Sequence, residues 1–163
     1  MAVEMELVSV EAPELPARTP VVILRERSGR RRLLPIFIGT PEAQAIALAM
    51  QRIETPRPMT HDLMRSLLDE LGAQVERIVV TELREGTFYA DILLRTDGEV
   101  RAVSSRPSDA IALAIRIGSP IFAEEDVLDE AGRTEQPDAE EAEAMVEEFR
   151  AFIDHVNPED FAQ

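Results

Sequence analysis

An α+β domain is the fold class this sequence predicts, on three observations: two stretches of alternating apolar residues broken by turn dipeptides, a helical pattern directly after each, and one pentapeptide shared by those helices. The 163 residues, 45% of them hydrophobic, suffice for one core and not for two. The first stretch, 20–38, reads PVVILRERSGRRRLLPIFI, and Ser28-Gly29 separates the two strands of a hairpin. Gly39-Thr40-Pro41-Glu42 then supplies a helix start, with Thr40 as the expected cap, Pro41 at the first helical position and Glu42 at the positive end of the dipole. That helix carries AQAIALAMQRI and ends before Pro56.

Thr60 to Leu71 predicts an amphipathic helix capped by Thr60, with Leu63, Leu67, Leu68 and Leu71 on its buried side and Gly72 just past its end. A strand over 75–82, VERIVVTE, follows. In 87–105, Phe88, Ala90, Ile92 and Leu94 alternate towards one face before Asp97-Gly98, a strong tight-hairpin signal, and Val100, Ala102 and Val103 continue on the return strand. The polar run Ser104 to Asp109 opens a second helix, AIALAIRIG, stopped by Gly118. AIALA occurs at 45–49 and again at 110–114, each time after a hairpin and a polar helix start. The expected architecture is therefore one domain of two duplicated strand–strand–helix halves, with mixed sheets packed on helices.

Beyond Phe122 the composition changes. Residues 124–131 suit a short helix closed by Gly132, and 133–137 read as a loop. Asp138-Ala139-Glu140-Glu141 resembles a capping box, and Met145, Val146, Phe149, Phe152, Ile153 and Val156 make a helical apolar stripe. Residues 124–163 hold 15 acids against Arg133 and Arg150, a net −13, whereas residues 1–123 hold 17 acids against 15 arginines, a net −2. We therefore divide the chain into a body, 1–131, and an acidic extension, 132–163, whose outer face is first of all a solvated surface. A sequence pI near 4.5 opposes long-range attraction of nucleic acid, while a nearly neutral body still permits local phosphate binding.

No apolar run approaches the ~20 residues of a membrane span, and MAVEMELVSVEAPEL carries acids where a secretory leader carries basic and apolar regions, so the expected location is the cytoplasm. With no cysteine, a bound metal would need carboxylates or one of two histidines, His61 and His155.

Four stretches in this order, LPIFIG (34–39) with Glu42-Ala43 soon after, PRPMTHDL (56–63), GTFYADI (86–92) and SRPSDAIALA (105–114), resemble the bifunctional nuclease family over about residues 5 to 128. The terminal PEDF, Pro158 to Phe161, is similar to the ending of actinobacterial-type members. The resemblance implies a bacterial cytoplasmic protein with a duplicated α+β domain that cuts both DNA and RNA, and it hands over no catalytic set.

Residue roles come instead from chemistry. Phosphodiester hydrolysis needs charge stabilisation on the phosphate and an activated water, supplied by carboxylate-held Mg²⁺ or Mn²⁺ or by a His or Glu base. The expected site has Asp62 and Asp109 holding a divalent ion or positioning water and His61 as base. Arg57, Arg65 and Arg106 would bind phosphate, with Ser105, Ser108 and Tyr89 as further nucleic-acid contacts. Each residue also has a structural reading. Asp62, Asp109 and Glu42 suit first turns of helices, Ser105 or Ser108 suits a cap, and Tyr89 lies on the opposite strand face from Phe88 and Ala90, where sheet packing competes with base stacking. The functional reading gains from the helix starts at Thr40, Thr60 and Ser105, because unpaired first-turn amides bind phosphate and two such ends can converge on one cleft. The alternative class is a non-catalytic regulatory or interaction domain that binds a small anion or a protein partner. A homo-oligomer is left open.

Overall fold

Period-two alternation builds the strands of this protein, in which the computed structural model describes residues 1–11, 19–135 and 139–155. Strands β1 (Ala2–Glu11), β2 (Val21–Glu26) and β3 (Leu33–Phe37) form a meander that leads into helix α1 (Thr40–Met50). Helix α2 (Thr60–Glu70) separates it from a second meander, β4 (Gln74–Arg84), β5 (Thr87–Thr96) and β6 (Glu99–Ser105), which leads into α3 (Pro107–Ile117). The chain continues through β7 (Ile121–Glu124), α4 (Glu125–Ala131) and α5 (Ala139–His155). The strands make one sheet in the order β3-β2-β1-β7-β4-β5-β6, parallel only between β4 and β7. The expectation of an α+β domain with a mixed sheet on helices stands, with a single sheet joining both meanders.

Two strands were not foreseen. β1 hides an apolar face among alternating acids, with Met5 2% exposed between Glu4 and Glu6. β7 is only four residues long, yet it occupies the centre of the sheet, antiparallel to β1 and parallel to β4. The turns follow their dipeptides. Asp97 and Gly98 both have positive φ (50° and 78°), as a two-residue hairpin requires, and Glu85-Gly86 repeats this between β4 and β5.

One face of the sheet carries the core: Val22, Leu24, Leu34, Ile36, Ile78 and Val80 pack with Ile46 of α1 and Ile111 and Leu113 of α3. The two AIALA copies differ in environment. All five residues 110–114 are buried, because α3 lies against α1, α2, β4 and β5, whereas in α1 Ile46 is the buried member of its copy.

Helix α2 corrects the expected stripe. Leu63, Leu67 and Leu71 are 49%, 54% and 78% exposed, and the side turned inward is His61 with Met64 and Leu68. Polar bonds at the first turn set this rotation: His61 bonds Asp109 of α3, and Asp62 bonds Arg116 of α3. The expected caps also shift. Gly39 and Met59 precede the first turns, with Ala43 N–H donating to Gly39 C=O and Leu63 N–H to Met59 C=O, so Thr40 and Thr60 are already helical. In α3 the cap position is Arg106, which Pro107 pushes into the extended region (ψ 142°), leaving neither Ser105 nor Ser108 as cap.

α4 ends at Gly132 as expected. The chain then stays against the sheet edge, where Arg133 and Leu33 exchange backbone bonds and Arg25 pairs with Glu135. In α5, Met145, Val146 and Phe149 are exposed. The capping aspartate Asp138, Val156, the PEDF ending and the side chains of Phe152, Ile153 and His155 fall outside the described residues. Among the described residues no helix is long and apolar enough to cross a membrane.

Candidate active site

Three helix starts meet at one cleft. Glu42 in the first turn of α1, His61 in the first turn of α2 and Asp109 in the first turn of α3 all line a depression of about 260 Å³, with Arg106 of the β6–α3 link beside them. Neither α1 nor α3 has a side-chain cap bond to its first-turn amides, whereas α2 opens with a capping box between Met59 and Asp62. Unpaired N–H groups of this kind attract anions.

The polar side chains form a chain of contacts. His61 Nε2–H donates to Asp109 Oδ1 at 2.9 Å, Arg106 Nε–H donates to Asp109 Oδ2 at 2.8 Å, and Arg106 Nη2–H reaches Glu42 Oε1 at 3.1 Å. Glu42 folds its carboxylate back against Gly39, into the space a β-carbon there would take. His61 is 6% exposed, whereas the Arg106 side chain is 65% exposed, so the ring is held and the guanidinium is open to exchange partners. Burial opposes ionisation of Asp109, but the hydrogen bonds from Arg106 and then His61 outweigh it and hold the carboxyl below its ordinary range. Because an ionised Asp109 can only accept, the proton of this bond sits on Nε2, and Nδ1 is the ring nitrogen left to take a proton from elsewhere.

Asp62 is adjacent to His61 in sequence but serves another contact. Its Oδ1 accepts from Arg116 Nε–H at 2.7 Å and its Oδ2 from Met59 N–H at 3.0 Å. Arg116, with its side chain 7% exposed, also donates to the carbonyls of Ala112 and Ala45, so one guanidinium ties α1, α2 and α3 together. Burial works to raise the Asp62 pKa, but the hydrogen bonds from Arg116 and then the Met59 amide outweigh it and hold the carboxyl below its ordinary range.

Of the remaining expected residues, Arg57 and Arg65 line a separate depression with Asp62, and Arg65 Nη1–H bonds Arg116 C=O. Ser105 Oγ–H donates to Arg106 C=O. Ser108 is buried at the start of α3. Tyr89 is 36% exposed, with the Arg84 guanidinium 4.7 Å from its ring centroid, away from the cleft. Sequence reasoning missed Arg116 as the partner of Asp62, for which only its place in the last turn of the AIALAIRIG helix gave a signal.

The donors expected for a divalent ion do not assemble. Among the described residues no group of three or more His, Asp or Glu side chains is placed to hold a metal. Asp62 and Asp109 each have both oxygens engaged with other partners.

The bifunctional nuclease domain family matches residues 22–136. A protein of Mycobacterium tuberculosis that carries the name uncharacterized protein is 46% identical over 165 residues, 97% of this chain and 97% of its own. Bifunctional nuclease 1 of Arabidopsis thaliana is 29% identical over 105 residues, 63% of this chain and 32% of the plant protein. Bifunctional nuclease 1 of Oryza sativa subsp. japonica is 27% identical over 103 residues, 61% and 31% of the two chains.

Proposed function

The chain belongs to the bifunctional nuclease domain family, and from that premise we propose that it hydrolyses phosphodiester bonds of DNA and RNA, with low sequence selectivity, at the cleft of Glu42, His61, Arg106 and Asp109. The observation that carries this reading is the His61–Asp109–Arg106 chain of hydrogen bonds at three helix starts. An oriented histidine, an exposed arginine and unpaired amides are what an activated water and a phosphate need. In this reading Arg106 leaves Glu42 for a phosphate oxygen, and His61 takes a proton from water at Nδ1. The water oxygen bonds phosphorus as the P–O bond to the leaving alkoxide breaks, and that oxygen regains a proton. The imidazolium formed on the way is stabilised by Asp109, as in any carboxylate-oriented histidine base.

Asp62 acts in this scheme through its clamp on Arg116, with Arg57 and Arg65 as outer phosphate contacts, Ser105 beside the phosphate, Ser108 as a nucleic-acid contact on the far side of Arg106, and Tyr89 outside the cleft. Since the residues as placed do not gather around a divalent ion, no step is routed through Mg²⁺ or Mn²⁺, and a chelator decides whether one takes part. A cytoplasmic location and an internal duplication belong to the same reading. Support for the duplication is that each AIALA follows a three-stranded meander. One observation favours the non-catalytic alternative: Glu42 and Asp109 outnumber Arg106 in the cleft, which weakens its hold on a polyanion.

Cleavage of labelled single-stranded RNA and DNA by the purified protein, with added Mg²⁺ or Mn²⁺ and with EDTA, is the test. We expect cleavage by wild type and a loss of at least about 100-fold in His61→Gln, the lower end for a general base. A folded wild-type protein that cuts neither polymer in any of these conditions would leave the binding-domain reading in its place.

A further inference from the structure

Arg106 borders a second cavity, larger than the first. It measures about 530 Å³, within the range of small-molecule sites, and its walls include Ile36, Phe37, Ile38, Phe88 and Ser108. Phe88 is rooted in the core, whereas Phe37, on the outermost strand β3, is 69% exposed and gains almost nothing from folding. An aromatic side chain left this open beside a cavity costs solvation without contributing to the core.

Ser108 supplies an independent observation. It is only 5% exposed, it lines this cavity, and its hydroxyl has no hydrogen-bond partner among the described residues. No fully buried side-chain polar atom among them lacks a partner, so the Ser108 hydroxyl keeps some exposure, in a residue that lines this cavity. A hydroxyl that no protein group engages can both donate to and accept from a ligand that enters the cavity.

We propose that this cavity is a nucleobase subsite: one unstacked base enters between Phe37 and Phe88, its polar edge meets the Ser108 hydroxyl, and its phosphate lies on Arg106 at the start of α3. The inference rests on the reading of the neighbouring cleft as the place of phosphodiester cleavage, because Arg106 belongs to both walls. It deepens that reading by naming the substrate class. A base inside a duplex cannot reach such a cavity without being extruded, so the preferred substrates are single strands, loops and ends. Aromatic faces accept every base, which agrees with low sequence selectivity.

The test is a binding experiment, so that it does not depend on turnover. Fluorescence anisotropy of a short labelled oligodeoxyadenylate is measured with the full chain carrying His61→Gln, against the same strand in duplex form, and with adenosine 5′-monophosphate or ribose 5-phosphate as competitor. The single strand should bind more tightly than the duplex, and the nucleotide should compete where the sugar phosphate does not. Adding Phe37→Ala should weaken single-strand binding by about one to two orders of magnitude, the loss expected when a base is deprived of a stacking face, and Ser108→Ala should weaken it less. Equal competition by ribose 5-phosphate, or unchanged affinity in Phe37→Ala, overturns the subsite. So does a dimer that Phe37→Ala converts to monomer, which assigns the exposed ring to self-association. If wild type cleaves RNA and DNA but shows no preference for a base, the subsite fails and the nuclease reading survives. If the base preference is present and wild type cleaves nothing, the subsite stands and the nuclease reading fails.

Discussion

At the first turn of α2, two adjacent side chains go to different partners: His61 to Asp109 across the cleft, and Asp62 to Arg116 behind it. The carboxylates most tightly engaged, Glu26 with Arg32, Asp62 with Arg116 and Asp109 with Arg106, all have lowered pKa values. Each therefore binds its proton more readily in the unfolded chain than in the folded one, so the stability it contributes is full above the unfolded carboxylate range and is lost as pH falls through the folded pKa. Thermal unfolding should accordingly be nearly flat in pH above about 5 and fall steeply below about 4, and Glu26→Gln should shrink that acid-side slope. A slope unchanged in Glu26→Gln would show that this pair is not among those driving it. Asp62 and Asp109 were legible because first turns of helices favour acids, whereas Glu26, at the end of β2, was not. The pairings of His61 with Asp109 and of Asp62 with Arg116 were not, because each joins groups about fifty residues apart that only the packed helices bring together.

At the scale of elements, turn chemistry and helix starts were the legible part. Asp97-Gly98 and the AIALA helices lie where their local signals put them. α2 shows the limit of periodicity: its leucines give a convincing stripe, yet Leu63 and Leu67 face outward because His61 and Asp62 are anchored to α3. Leu67→Gln should then change stability by no more than about 0.5 kcal/mol, as for ordinary surface substitutions, and urea melts would show it. A loss above about 2 kcal/mol would mean that Leu67 is buried after all, against a partner or within the chain. Arg116→Met, by contrast, removes charge-assisted bonds to Asp62 and to two carbonyls and should cost roughly 2–3 kcal/mol. A melt like that of wild type would deny Arg116 its part in holding the three helices. β1 escaped notice because its acids masked the alternation, and β7 because four residues carry too little pattern to read.

For the whole molecule, the charge division predicts how the body and the extension behave apart. Arg133 and Glu135 still contact β3 and β2, so a chain ending at residue 135 should unfold cooperatively, and without most of the acidic extension it should bind single-stranded oligonucleotides more tightly at low salt. Unchanged affinity at low ionic strength would reduce the extension to a solubility device. The central claim, that the cleft between the three helix starts performs the chemistry, is most directly tested by Asp109→Asn. The amide keeps the size of the carboxylate and can still accept a bond from His61, but it no longer stabilises an imidazolium or holds Arg106 by charge. Measured as kcat/KM on a labelled single strand alongside a thermal melt, Asp109→Asn should lose activity by at least about 100-fold while remaining folded at the assay temperature. Wild-type kcat/KM in a folded Asp109→Asn protein would contradict the account.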